Sequence, residues 1–284
     1  DLTSRIHSVT EPMITFIGGG NMAVAIYGGL LDTGFPPENI TVIDPSKSAQ
    51  EHAESAGLTE VFGQASEEAL QSDLVVLAIK PQIAASALAS FSGKIQAGSV
   101  VLSIIAGINA ASLRSMLGLN NASTVVRCMP NTPALVGEGM TGLFLESESS
   151  SHIGRELAEQ LMSTVGRCVW VNKESDLDVI TAISGSGPAY FFLFMESLTD
   201  VAVEMGLSAE MAHLLAVQTS LGASTLASLS NEDTATLRKN VTSPGGTTER
   251  AIHSLEESNL RGIIASAAKA AARRSIELSE EFGG

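Results

Sequence analysis

Through the first half of the chain, short apolar runs rich in β-branched residues alternate with stretches of helical spacing. Met13–Ile17, Ile40–Ile43, Leu74–Ile79, Val100–Ile105, Thr124–Met129 and Thr141–Leu145 read as strands, most of them bounded by Gly, Pro, Asp or Ser. Between them, Met22–Leu31 and Ile83–Leu88 repeat their apolar residues as a helix does. Strand and helix in repeated alternation predict a mostly parallel, doubly wound sheet with helices on both faces. After about Trp170 the β-branched runs stop. Ala189–Met205 and Ser208–Leu229 read as long helices rich in Ala, Leu and Met, and Leu260–Phe282 as a last helix with Ile263, Ile264, Ala267, Ala271 and Ile276 at near-helical spacing. The predicted organisation is an α/β domain over 13–172 and an all-α domain over 173–284. Residues 1–12, which lack an apolar leader segment and an initial Met, read as a disordered extension or leftover segment.

The helices of the second half are too apolar and too long to complete a core within about 110 residues, which predicts a homodimer formed through them. Composition supports folding throughout: of 284 residues 44% are hydrophobic and 17% charged, and mean hydropathy is +0.24, the opposite of a disordered chain. With 16 basic and 31 acidic residues the net charge is −15, which repels phosphate backbones and anionic lipids and argues against nucleic-acid binding. The most apolar runs, such as Leu74–Ile79 and Ser99–Ala106, are strand-length, short of the roughly 20 residues a membrane span needs, so no membrane association is expected. Cys128 and Cys168 cannot build a disulfide framework, pointing to a reducing, cytoplasmic setting. The five histidines are scattered without metal-ligand spacing, so no metal site is expected.

The strongest local signal is Ile17-Gly18-Gly19-Gly20-Asn21-Met22-Ala23, where a strand runs through G-x-G-x-x-A into a helix. In a dinucleotide-binding loop Gly18 allows the tight turn, Gly20 lets the backbone approach a pyrophosphate, and Ala23 lets helix and strand pack closely; a purely structural Gly-rich turn is the alternative. Asp44 ends the second predicted strand, where a carboxylate reads the adenosine ribose and favours NADH. Ser46, Lys47 and Ser48 follow at once and suit a 2′-phosphate, and a simple turn before Pro45 is a third reading of Asp44.

Further along come Ala78-Ile79-Lys80-Pro81, Met129-Pro130-Asn131-Thr132-Pro133, Ser184-Gly185-Ser186-Gly187-Pro188-Ala189-Tyr190 and Val241-Thr242-Ser243-Pro244-Gly245-Gly246-Thr247-Thr248. In this order, on a Rossmann-type domain followed by helices, they resemble the pyrroline-5-carboxylate reductase family over about Met13–Leu278. The resemblance implies NAD(P)H-dependent reduction of 1-pyrroline-5-carboxylate to L-proline, with NADPH the usual cofactor. It implies that Ile17, Gly18, Gly19, Gly20, Asn21 and Met22 cradle the cofactor phosphates and that Ala78, Ile79, Lys80 and Pro81 contact the dinucleotide. Ile104, Ile105 and Ala106 are implied near the nicotinamide ribose and Asn240 beside the nicotinamide. Ser243, Gly245 and the backbone of Gly246, Thr247 and Thr248 would take the substrate carboxylate, and the Thr248 hydroxyl would face the imine nitrogen. The family builds its site between subunits and often assembles beyond the dimer. Asp44 stands where many members have Ser or Thr, leaving NADH open as the cofactor.

The residues read alone agree with this chemistry. The turn before the helical run Glu249–Glu257 offers N–H groups to an anion. Hydride addition to a cyclic iminium needs no strong acid, metal or covalent nucleophile, so positioning by Ser, Thr, Gly and Asn suffices, with Thr248 as a positioner or proton relay. Each motif also has a plainer reading: Ser243–Thr248 as a turn and helix cap, Ser184–Pro188 as a helix-start loop, Lys80 as a solvated charge, and Met129–Pro133 as a stiff loop with Asn131 serving nearby backbone. Cys128 and Cys168 read as packing residues and Trp170 as a core or interdomain residue. Two other functions fit the outline. A related imine reductase or 3-hydroxyacid dehydrogenase is one, although the helix after Pro188 has no Lys to act as the acid an alcohol dehydrogenase of that group needs. A dinucleotide sensor without turnover is the other, and it would have no use for a second anion pocket.

Overall fold

A computed structural model describes residues 11–65, 70–146 and 152–283. The expected N-terminal extension lies, for residues 1–10, outside them. The chain divides into two compact units, one running to Gly185 and taking in the chain from Ala271 onward, the other spanning Ser186–Ala270.

The first unit is built on an eight-stranded sheet: β1 Ile14–Ile17, β2 Ile40–Ile43, β3 Glu60–Phe62, β4 Leu74–Leu77, β5 Val100–Ser103, β6 Thr124–Met129, β7 Gly139–Leu145 and β8 Gly166–Val171. Their order is β3-β2-β1-β4-β5-β6-β7-β8. All neighbouring pairs are parallel except β6 and β7, so the sheet is parallel up to β6, and β8 runs parallel to the reversed β7. Helices α1 Asn21–Asp32, α2 Lys47–Ser55, α3 Pro81–Ala89, α4 Ala110–Leu117 and α5 His152–Ser163 connect or flank the strands. Strands β1, β2, β4 and β5 are buried at every position because both of their faces are covered. Phe16, Val76 and Leu102 pack on one side with Ile26 of α1 and Met162 of α5, while Ile17, Val75 and Val101 pack on the other with Leu88 of α3 and Leu113 of α4.

The strongly apolar strands stand where their pattern predicts. Missed were β3, half-buried and three residues long, and β8, whose exposed and half-buried residues suit an outermost strand. Helix α2 also escaped the periodicity because Ala53 is its one buried residue; α5 was missed as well, although it buries Gly154, Ala158, Leu161 and Met162.

The second unit is helical: α7 Gly187–Glu204, α8 Ala209–Leu229, α9 Thr234–Asn240, α10 Thr247–Glu257 and the first half of α11 Leu260–Phe282. Side chains cap two of these starts, Ser208 receiving the Met211 N–H at 3.3 Å and Asp233 the Thr236 N–H at 2.7 Å.

Ser184–Pro188 does hold the start of α7, with Ser186 as cap residue and Pro188 in the first turn, but it is no loop: helix α6 Asp176–Ile180 continues through a π-turn, Thr181–Gly185, and Ser186 into α7. The resulting 29-residue helical stretch, Asp176–Glu204, contains an 18-residue window of mean hydropathy 1.3, of which 17% is buried. By length and composition that stretch is long enough to cross a membrane, a test that apolar helices of an assembled core also pass. Reading the glycines as a break had concealed this continuity.

Candidate active site

The strand order reverses between β1 and β4, and a crevice at such a switch point, beyond the carboxyl ends of the strands, is where open α/β sheets take ligands. The segments leaving the strands are stitched together there. Gly18 N–H donates to Ile43 O at 2.9 Å, Ala78 N–H to Ile17 O at 2.8 Å and Ile104 N–H to Leu77 O at 3.0 Å. Ile17, Gly18, Ala78, Ile79, Ile104 and Ile105 therefore meet at one sheet edge. Ile17 and Ile105 have their side chains buried in the core, so only their backbones can face a ligand. Ile79 and Ile104 are half-buried, Lys80 is exposed ahead of α3, and Pro81 is at that helix's start.

Within the glycine loop the three glycines do different work. Gly18 has φ +101°, and a Cβ there would strike the backbone carbonyl of Ala78. Gly19 is packed against Ala49, Val42 and Asp44. Gly20 caps α1 with ordinary backbone angles, φ −73° and ψ −177°, and a Cβ on it would meet nothing within 4 Å. That open space faces the start of a 12-residue helix with no side-chain cap and no acidic residue in its first turn, which suits a dinucleotide pyrophosphate. Ala23 is fully buried where α1 meets the sheet.

Asp44 is bound into this loop. One carboxylate oxygen accepts the Gly19 N–H at 2.7 Å and the other the Ser46 N–H at 2.8 Å, while Gln50 Nε2 holds the Asp44 carbonyl at 2.7 Å. The exposed Ser46 and Ser48 hydroxyls stand 3.0 Å apart beside it, at the start of α2.

The remaining candidates belong to the second unit. Asn240 ends α9 and its amide donates to Glu232 at 3.0 Å. The turn Ser243–Gly246 leads into α10, with Gly245 at φ +73° and Gly246 as the cap residue. Gly246 N–H closes this turn onto Ser243 O at 3.0 Å, and Gly245 N–H donates to Glu249 Oε2 at 2.8 Å. The donors left at the helix start are the N–H groups of Thr247, Thr248 and Glu249, which precede the first helical bond, Arg250 N–H to Gly246 O at 3.4 Å. Gly246, expected to contribute its N–H to the substrate, has it engaged within the turn.

A residue underrated by the sequence reading is Asn131. Its buried amide does not serve nearby backbone alone: Nδ2 donates to Ser184 O in the π-turn at 2.9 Å and Oδ1 accepts the Met140 N–H at 2.8 Å. Gly185 beside it lies against the flexible end of the Met129 side chain, which a Cβ would have to displace. Thus Met129–Pro133 and the Ser184–Gly185 turn form one joint, and π-turns concentrate at functional sites. The pairing of an Asn between two prolines with a distant glycine motif was the available signal. Burial pushes the Cys128 thiol well up and also raises that of Cys168, which removes both as thiolate nucleophiles at neutral pH.

Comparison with known proteins gives this geometry a family. A pyrroline-5-carboxylate reductase from Pseudomonas aeruginosa is 42% identical over 277 residues, covering 97% of this chain and all of that one. The chain belongs to the pyrroline-5-carboxylate reductase family. The family's dimerisation region matches residues 174–278, and a region described as NADP oxidoreductase, coenzyme F420-dependent, matches 13–107. A solved pyrroline-5-carboxylate reductase from Coxiella burnetii shares the fold with TM-score 0.86 and 41% identity, covering 95% of this chain and 99% of that one. That of Plasmodium falciparum, with NADP bound, gives TM-score 0.81 and 31% identity, covering 95% and 98%. In the family's terms the α/β unit is an oxidoreductase domain that takes a nicotinamide cofactor, and the helices after residue 174 are a region of self-association.

Proposed function

We propose that this protein reduces 1-pyrroline-5-carboxylate to L-proline with NADPH, within a cofactor domain over residues 13–172 and a helical substrate domain over 173–284. The observation that carries the reading is the end-to-end match to reductases of that name, 97% of this chain against 100% of the Pseudomonas protein. The bound dihydronicotinamide supplies a hydride to the imine carbon. The chain's own residues bind and orient. The N–H groups at the start of α1, where Gly20 leaves open space, would hold the pyrophosphate, and the backbones of Ala78–Pro81 and Ile104–Ala106 would line the dinucleotide. Asn240 would serve the nicotinamide end of the cofactor. The Ser243 hydroxyl with the Thr247 and Thr248 amides takes the substrate carboxylate, and the Thr248 hydroxyl holds the imine nitrogen and relays to it a proton drawn from solvent, the one it keeps in proline. Catalysis is then mostly proximity and orientation of an electrophile that is already reactive.

Asp44 carries the second reading, NADH. Its oxygens are engaged with Gly19 and Ser46, which supports a brace for the glycine loop and leaves Ser46, Lys47 and Ser48 to receive a 2′-phosphate. Oxidation of NADPH and NADH in parallel with racemic 1-pyrroline-5-carboxylate, with proline measured as product, tests both. Asp44→Ser moves the ratio of the two kcat/KM values toward NADPH if the carboxylate faces the ribose, and leaves it in place if Asp44 only braces the loop. The open apolar surfaces of α7 and α8 support self-association through the C-terminal helices, with the site completed between subunits, in preference to a bilayer as their covering. The two free cysteines support a reducing compartment, the cytoplasm.

A further inference from the structure

The turn that leaves β5 toward α4 is held more firmly than a surface connection requires. Gly107, at φ +74°, lies so close to α11 that a Cβ would come within 3.2 Å of the Leu278 carbonyl carbon and oxygen. Three residues further on, the first N–H of α4, that of Ala110, donates to Glu174 Oε1 at 2.7 Å, and the same oxygen receives Arg127 Nη1 at 2.9 Å. Ser112 Oγ donates to Gly283 O just beyond α11 at 2.6 Å, and Phe282 joins the core cluster beneath. Glu174 is a charged, partly buried acceptor reaching from a distant segment to a helix start that Asn109 already caps through Ser112 N at 2.7 Å. A helix of eight residues with its own cap and buried leucines does not need these extra anchors to form.

What they fix is the backbone immediately after Ile104-Ile105-Ala106. We propose that Glu174 and the end of α11, tied on through Ser112, are positioning elements for the cofactor: they hold the turn Ala106–Ala110 so that the segment after β5 meets the nicotinamide end without reorganising. This inference rests on the assignment of Ile104–Ala106 to the cofactor. Its physical content is preorganisation, since a turn already ordered before binding loses no freedom when the cofactor arrives. The same 23-residue helix begins within the region matched to dimerisation.

The test is direct titration of NADPH fluorescence alongside steady-state kinetics for Ser112→Ala, Glu174→Ala and Glu174→Gln. Glu174→Ala weakens NADPH binding roughly five- to tenfold and Ser112→Ala roughly threefold, both in Kd and in KM for the cofactor, while KM for the imine stays within about twofold. Glu174→Gln, which keeps an acceptor for Ala110, restores most of the affinity. A cofactor Kd unchanged in folded Ser112→Ala and Glu174→Ala overturns the proposal, even where melting temperature falls, because anchors that are only structural shift stability alone. Should Glu174→Ala not fold, Ser112→Ala decides by the same criterion. Wild-type protein that binds NADPH but does not turn over the imine refutes the substrate assignment and leaves the Kd comparison in force; wild-type protein that binds neither nucleotide overturns both.

Discussion

The two units solve the burial problem differently. In the α/β unit the central strands are covered on both faces, and side chains as large as Phe16, Ile26 and Tyr27 are shut away from water. In the helical unit α8 buries only Ala212 and Ala216, α10 and α11 bury no residue fully, and Phe192 and Leu214 remain more than 60% exposed. Apolar faces of that extent on helices of 18 and 21 residues are surfaces awaiting another chain. The contrast teaches that one half of the molecule is stabilised by its own sequence, whereas the stability of the other cannot be separated from protomer concentration.

The largest effect is expected where that contrast is broken. Leu214→Asp combined with Leu221→Asp puts charge on the open face of α8 and should give a monomer mass by light scattering, with turnover lost and the β-sheet signal in circular dichroism retained; a dimer of unchanged mass would move the interface off α8. Next comes the glycine loop of the self-sufficient unit. Because Gly20 has ordinary backbone angles and nothing within reach of a Cβ, Gly20→Val should fold normally yet lower dinucleotide affinity on the order of a hundredfold, equivalent to about 2.8 kcal/mol. Normal NADPH binding by that variant would reassign the loop. Thr248→Ala removes a single hydrogen bond from the substrate turn and should cost about 1 to 3 kcal/mol, read as a fall in kcat/KM; unaltered kinetics would take the hydroxyl out of the mechanism.

The smallest effect sharpens the account of the α/β core. Tyr27 is 1% exposed, packs edge-on against Phe16, and its hydroxyl is the one buried side-chain polar atom without a partner among the described residues. Tyr27→Phe should therefore stabilise by about 1 kcal/mol in denaturant unfolding. Burial also pushes the phenol above its usual value, so the neutral form is favoured in the folded state. The stability this represents is present below the unfolded value near pH 10 and is lost as pH rises through the folded one, so the Phe variant should show a shallower alkaline decline.

Much of this was legible in the chain. The glycine loop could be read because strand, glycines and helix are contiguous and each glycine has a local reason. The buried strands were legible because a strand covered on both faces must be apolar throughout. β3 and β8 were not, since edge strands need no such pattern. The π-turn was hidden because Ser184-Gly185-Ser186-Gly187-Pro188 has the composition of a break, and only the bond that Asn131 Nδ2, 53 residues earlier, donates to Ser184 O shows how one of its carbonyls is satisfied. The engagement of Gly246 N–H with Ser243 O was equally invisible, because either a tight turn or an open pocket satisfies the same residues.

The sequence by itself determined the strand-helix alternation, the place of the dinucleotide loop and the excess of apolar surface on the C-terminal helices, because each follows from local periodicity or from residues adjacent in the chain. Only the tertiary structure decided that Asp44 is tied to Gly19, that Asn131 joins two distant motifs, and that the end of α11 closes on the turn after β5. Those contacts bring together residues 25, 53 and 171 positions apart, and no pattern of neighbours along the chain encodes a pairing that exists only after the sheet has set the distances between its strand ends.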